Sequence, residues 1–281
     1  MNKRMLIAAV ALGFVLVACG RETYDTLDVG GSTTPTPRAT STPKATTTPA
    51  ASATPVATAT AAGAAATQAP SGEVPKAAEG QINRPKAGRY VYDLSGEATN
   101  PLNPSAPPEK FAEGAQTTSS ISHQGNVTTD ESTTSEQAGR TVSKTRWEST
   151  KVSLLSISID TQAGTFSCTF DPPLVILHIP IKAEKFPTQI LKGDGNACNG
   201  KVDITVEGRE NVKDAMGRSW STWRVKVRQE VNSDQLTTTT DETRWFSPDL
   251  GAQVRSQATQ NGTYSGLNFA SKSNTVLRSR P

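Results

Sequence analysis

From residue 89 to the C-terminus the apolar positions of this chain recur every second residue, and no helical period runs through them. The clearest run is 223–231, where Trp223, Val225, Val227 and Val231 share one parity and Arg224, Lys226, Arg228 and Glu230 the other. Residues 202–207 alternate in the same way, with Val202, Ile204 and Val206 set against Asp203, Thr205 and Glu207. Tyr90, Tyr92 and Leu94 form a shorter run. Each pattern predicts a strand with one buried and one wet face, as in antiparallel sheet. Between 151 and 160 the parity slips, from Val152 and Leu154 to Ile157 and Ile159. A β-bulge near Leu155 accounts for the slip, because one extra residue reverses the facing.

Turn chemistry punctuates these runs at Thr161-Gln162-Ala163-Gly164, Gly193-Asp194-Gly195-Asn196, Met216-Gly217-Arg218 and Asn261-Gly262. Strands every ten or so residues joined by short turns predict an all-β domain. Its expected form is an antiparallel meander making a curved sheet, an open barrel or a sandwich. Residues 96–116, rich in Pro, Ala and Glu, are expected to form a long surface loop with room for a short helix near 108–112. The β-rich domain is placed at 84–281, and its size favours one core over two.

The first residues carry a different signal. Lys3 and Arg4 precede an apolar stretch from Met5 to Ala18, too short to span a bilayer and suited to a secretory h-region. It ends Leu16-Val17-Ala18-Cys19-Gly20, which resembles the lipobox of bacterial lipoproteins. The resemblance implies a signal peptide at 1–18, cleavage before Cys19 and acylation of that cysteine. Two acyl chains at ~0.8 kcal/mol per buried CH₂ anchor stably where one holds only marginally. Residues 19–83 are rich in Thr, Ala, Pro and Ser and have no apolar periodicity, so they read as a disordered tether.

Charge and cysteine content narrow the picture further. The chain has 29 basic and 26 acidic residues; without Lys3 and Arg4 the mature balance is 27 against 26. No basic cluster occurs, so no nucleic-acid partner is expected. There are three cysteines. With Cys19 taken by lipid, Cys168 and Cys198 remain, and an oxidising extracytoplasmic compartment favours a disulfide between them. Two buried free thiols are another reading. A redox pair is a third, which the missing C-x-x-C spacing disfavours.

Two further patches bear on the fold. One is residues 170–180, where Pro172-Pro173 leads into Leu174-Val175-Ile176-Leu177-His178. The other is residues 244–254, where Arg244-Trp245-Phe246 meets a Pro248-Asp249 turn and Gly251. With Glu207-Gly208-Arg209 and the Gly217 turn, they resemble a pattern in secreted β-rich bacterial proteins over residues 165–254. The fold of those proteins is similar to the curved antiparallel sheets of lipoprotein carriers and related lipid-binding lipoproteins. The resemblance implies such a sheet, with a concave face suited to a lipid. The helices that close the carriers' concave face have no counterpart in this chain's periodicity.

Candidate chemistry is sparse. His178 lies inside an apolar run and reads as a hydrogen-bonded structural histidine; His123 lies in a polar strand and reads as exposed. No Gly-x-Ser-x-Gly elbow accompanies either. Glu207, Glu210 and Asp203 cluster in sequence, but nothing marks the dry pocket that a glycosidase acid needs. Asp194-Gly195-Asn196 with Asn199 lacks the further acids of a calcium loop. Trp147, Trp220, Trp223 and Trp245 read as packing residues rather than a ligand groove. No catalytic residue, metal site or cofactor is therefore expected. The site residues are Cys19 for lipid and Cys168 and Cys198 for the bridge.

The expectation is thus a cell-envelope protein on the extracytoplasmic face of the membrane, held there by lipid on Cys19. Its domain is expected to be non-enzymatic, with a binding or structural role toward an envelope or wall component. The alternative is a carrier of lipid or another apolar ligand on the concave face. An apolar cavity larger than ~300 Å³ would favour that alternative.

Overall fold

The computed structural model describes residues 73–281 apart from 100–102, 104, 136–138, 162–163, 196 and 234–235. The expected signal peptide, Cys19 and most of the expected tether lie outside the described residues. Among those described, every regular element is a strand. The first seven are β1 (Gly88–Ala98), β2 (Glu109–Lys110), β3 (Gln116–Gln124), β4 (Val127–Thr134), β5 (Arg140–Trp147), β6 (Lys151–Thr161) and β7 (Gly164–His178). Three short ones follow: β8 (Glu184–Lys185), β9 (Gln189–Leu191) and β10 (Gly193–Asp194). The last five are β11 (Gly200–Lys213), β12 (Ser219–Asn232), β13 (Leu236–Ser247), β14 (Ala252–Tyr264) and β15 (Leu267–Ser279).

All of them join one antiparallel sheet in the order β10-β7-β6-β5-β4-β3-β1-β15-β14-β13-β12-β11-β8, with β2 beside β1 and β9 beside β11. Two meanders, β3 to β7 and β11 to β15, are thus sewn together where the first strand pairs with the last. The ladder does not close, because β10 and β8 end the path at opposite edges.

Burial shows how this long ribbon makes a core. Val152, Leu154 and Ile157 of β6 and Phe166, Phe170 and Leu177 of β7 share one apolar cluster with Val202 and Ile204 of β11 and Val225 of β12. Those strands lie near opposite ends of the sheet path. The sheet therefore curls until its two wings meet face to face, and each wing supplies the cover that the other lacks. A second cluster under the middle strands gathers Tyr90, Tyr92, Ile121, Val254 and Leu277.

The seam between the wings is fastened by other means than a ladder. Cys168 of β7 is bonded to Cys198, just ahead of β11. The segment between them runs hard against β7. A Cβ on Gly193 would lie 1.8 Å from the Thr169 carbonyl oxygen, and one on Gly195 would lie 2.2 Å from that of Ser167. Only glycine permits that approach.

The alternation read from β11 and β12 is the one observed: Val202, Ile204, Val206, Val225, Val227 and Val231 are all buried. The Leu155 bulge is also present. On the β5 side Lys144 faces Ser156 and Thr145 faces Leu154, leaving Leu155 without a partner. On the β7 side the register breaks at the same point.

Two local expectations need correction. Residues 109–110 form strand β2 against Glu97 and Ala98 rather than a short helix. Phe111 then packs over Leu94 and Ala115, so apolar cover fixes the segment in extended form. Asn261-Gly262 is not a turn either: β14 continues through it, and the chain reverses at Ser265 and Gly266, with φ of 47° and 81°. Gly262 is needed for space, since a Cβ there would lie 2.3 Å from the Thr237 carbonyl oxygen and 2.9 Å from the Phe269 ring.

Residues 73–83, the last part of the expected tether, are docked on the sheet. Asn83 donates its backbone N–H to the Pro248 carbonyl at 2.9 Å, and Ala77 donates its own to Asp249 Oδ1 at 2.8 Å.

Candidate functional site

The inner face of the curled sheet is not uniformly apolar. Along β13, Leu236, Thr238, Thr240 and Glu242 are all less than 5 % exposed, while Thr237 and Asp241 point outward. The same parity places Arg244 and Phe246 inside. Glu242 and Arg244 pair there at 2.5 Å, with the Glu242 side chain 1 % exposed. Such a pair offsets its desolvation only with both partners present.

Two cavities meet at Arg244. The first, about 100 Å³, lies between the wings and is walled by Leu154, Phe170, Leu177, Ile204, Val225 and Phe246. It falls short of the ~300 Å³ at which small-molecule pockets begin. The second, about 200 Å³, lies under β3, β4 and β5 and shares Ile176, Leu177, Arg244 and Phe246 with the first. Its lining is mixed: Tyr92 and Trp147 stand with Thr117, Ser119, Ser143 and Asp130.

Asp130 is the distinctive group of this second chamber. Ser119 donates to its Oδ1 at 2.5 Å, and no ion pair to it is found among the described residues. Burial raises its carboxyl above the ordinary aspartate range, and the Ser119 hydrogen bond only partly opposes this. Thr117, buried on the neighbouring strand, also lines the chamber, and its hydroxyl has no hydrogen-bond partner.

The opposite face of the sheet carries a larger groove of about 1000 Å³, bordered by Asp203, Thr205, Lys226, Arg228, Asp241 and Lys272. Its charges are mostly paired. Lys226 meets Glu207 at 2.7 Å, Arg228 meets Asp241 at 3.3 Å and Lys272 meets Glu97 at 3.7 Å.

No family model matches the chain. No curated protein matches it either. Among solved structures it is similar to a "putative exported protein with YmcC-like fold" from Bacteroides fragilis, at 9% identity and a TM-score of 0.28. That match covers 70% of this chain and 97% of the other.

The residues singled out from sequence fall into place as follows. His178 Nδ1 lies 3.0 Å from Glu184 Oε1, and its ring stacks on Phe186 at 4.5 Å, so it is a hydrogen-bonded structural residue on a half-exposed edge. His123, exposed on β3, has Nε2 2.9 Å from the Pro85 carbonyl oxygen and Nδ1 3.2 Å from Thr128 Oγ1.

Glu207 and Glu210 do come together, around Arg224 on the outer face. Hydrogen bonds from Lys226 and Arg224 outweigh desolvation and hold the Glu207 carboxyl below its usual range. That is the reverse of what a general acid needs. Asp203 accepts a hydrogen bond from Thr188 Oγ1 at 2.5 Å.

Asp194 lies in β10 against Thr169, whereas Asn196 is outside the described residues. Among the described residues no group of three or more His, Cys, Asp or Glu is placed to hold a metal ion.

The tryptophans lie on three strands, Trp147 on β5, Trp220 and Trp223 on β12 and Trp245 on β13. Trp147 and Trp223 lie against the main core and Trp220 against the second. Arg255 lies over Trp245 at 5.3 Å. Trp147 also lines the Asp130 chamber, a role its sequence position did not announce.

Asp130, Glu242 and Arg244 escaped the sequence reading. For the last two a signal existed: they share the parity of Leu236 and Phe246, so charge stands where an apolar side chain is expected. For Asp130 there was none, because β4 reads VTTDESTT and offers no apolar series to mark its inner face.

Proposed function

We propose that this chain is an exported lipoprotein, anchored by acyl chains on Cys19, that presents a non-enzymatic β-rich binding module outside the membrane. The observation that carries the reading is the Cys168–Cys198 bridge. A disulfide that fastens the seam of the fold suits an oxidising compartment. It also accounts for two of the three cysteines and leaves Cys19, at the end of the h-region, as the acylation site. Residues 19–72 then serve as the spacer between membrane and module. The partner on the membrane side is the bilayer itself, and on the other side an envelope or wall component.

Metabolic labelling with a tritiated fatty acid tests this. The protein should take up label and partition with membranes, and Cys19→Ser should abolish both. Unlabelled, soluble wild-type protein would refute the anchor.

The alternative role, carriage of a lipid on the concave face, draws less support from the geometry. The apolar cavity is about 100 Å³, and the wings fill the remainder with side chains. The polar chamber beside it is the more promising binding site.

A further inference from the structure

The chamber under β3, β4 and β5 has a charge balance that selects its ligand. Two charged side chains line it, Arg244 and Asp130, and Arg244 is neutralised by Glu242 at 2.5 Å. Asp130 remains, with a single hydrogen bond from Ser119 and no cation. Asp130 is half-buried, and a carboxylate partly withdrawn from water without a counter-ion is destabilised; a partner of opposite charge relieves this. No side chain among the described residues supplies that partner.

The rest of the lining suits a cation as well. Ser119, Ser132, Ser143 and Thr145 offer hydroxyl oxygens, Thr117 has an unpartnered one, and the rings of Tyr92 and Trp147 share the wall. Hydroxyl oxygens accept from an ammonium N–H, and aromatic rings attract cations. The volume of about 200 Å³ lies below the ~300 Å³ at which drug-sized pockets begin, which suits a small head-group.

We propose that this chamber binds a small alkylammonium group, with the Asp130 carboxylate as its counter-ion. The proposal rests on reading the chamber as the module's binding site and is independent of the anchor at Cys19. The ammonium could belong to a free primary amine or to a quaternary head-group, and the probes below separate the two.

The test is calorimetric titration of the full chain with propylammonium chloride, with choline chloride and, as an uncharged hydroxylated control, with myo-inositol. One or both ammonium probes should bind at least tenfold more tightly than inositol, and the tighter one names the source. Asp130→Asn, which keeps an oxygen for Ser119, should weaken that binding at least tenfold. If this variant does not fold, the wild-type protein still answers: the carbon-13 signal of the Asp130 carboxyl should move on addition of propylammonium. Unchanged affinity in Asp130→Asn, or an unmoved carboxyl signal, overturns the proposal. Inositol binding as tight as that of the ammonium probes overturns it while leaving the chamber as a binding site. Absence of binding by all three overturns both.

Discussion

The side-chain amide of Gln189 hydrogen-bonds both backbone groups of Val175. Its Oε1 accepts from the Val175 N–H at 2.8 Å, and its Nε2 donates to the Val175 carbonyl at 2.8 Å. Gln189 belongs to β9, which pairs with β11, whereas Val175 lies on β7 near the other end of the sheet path. One side chain thus imitates a strand across the seam that no ladder closes. It also occupies an edge that would otherwise offer free backbone groups to another chain. Replacing it, Gln189→Ala, should cost about 1–3 kcal/mol through two lost hydrogen bonds and two stranded backbone groups. Urea unfolding measures this; an unchanged midpoint would mean that water fills the role.

The bridge between Cys168 and Cys198 closes the same seam covalently over a separation of 30 residues. On the chain-entropy account such a loop stabilises by about 3–4 kcal/mol. The double variant Cys168→Ala, Cys198→Ala should lower the unfolding free energy by that amount. Because the apolar clusters remain, far-ultraviolet circular dichroism should still report a sheet.

The buried pair Glu242–Arg244 has an asymmetric expectation. Removing one partner, as in Glu242→Ala, should destabilise by about 3–5 kcal/mol by leaving an uncompensated buried charge. The apolar double variant Glu242→Leu, Arg244→Met should be neutral or stabilising. A double variant as unstable as the single one would show that the pair is held by more than mutual compensation.

Two aspartates should respond to pH in opposite directions. Burial pushes the Asp214 carboxyl up, but hydrogen bonds from Trp220 Nε1 at 3.0 Å and from Arg218 Nε at 2.7 Å outweigh it and leave it lowered. Its contribution is present above the unfolded aspartate value of ~3.9 and is lost as pH falls through the folded value. The Asp130 carboxyl is raised, so its contribution is present below ~3.9 and lost as pH rises through the folded value. Asp214→Asn should therefore destabilise at neutral pH, and Asp130→Asn should stabilise there. Both differences should shrink in acid. Denaturation curves at pH 7 and in acid decide both signs. A destabilised Asp130→Asn at pH 7 would mean that the carboxylate has a stabilising partner.

A strand's inner face is legible in sequence only where its apolar pattern marks it. In β11 and β12, valines alternate with charges, so the inner side and even the Leu155 slip in β6 could be read directly. In β4, threonines occupy both parities, and only tertiary packing decides that Asp130 lines the chamber. In β13 the parity of Leu236 and Phe246 marks the inner face, but Glu242 and Arg244 put charge where apolar side chains are expected. The Asn261-Gly262 pair carried turn chemistry, yet its glycine answers a crowding demand from Thr237 and Phe269. Local pattern encodes conformation, whereas close approach between strands is set by neighbours distant in sequence. The cysteines were legible for a third reason, since composition and compartment constrain their pairing without any geometry.

The anchor at Cys19 is the premise on which location and presentation both depend. Intact-mass and peptide mass spectrometry of the protein purified from membranes tests it most directly. The account predicts a mature chain that begins at Cys19 and carries a diacylglyceryl group on that residue, with Cys168 and Cys198 recovered as one disulfide-linked peptide pair. A chain that keeps residues 1–18, or one that begins at an unmodified Cys19, would contradict it.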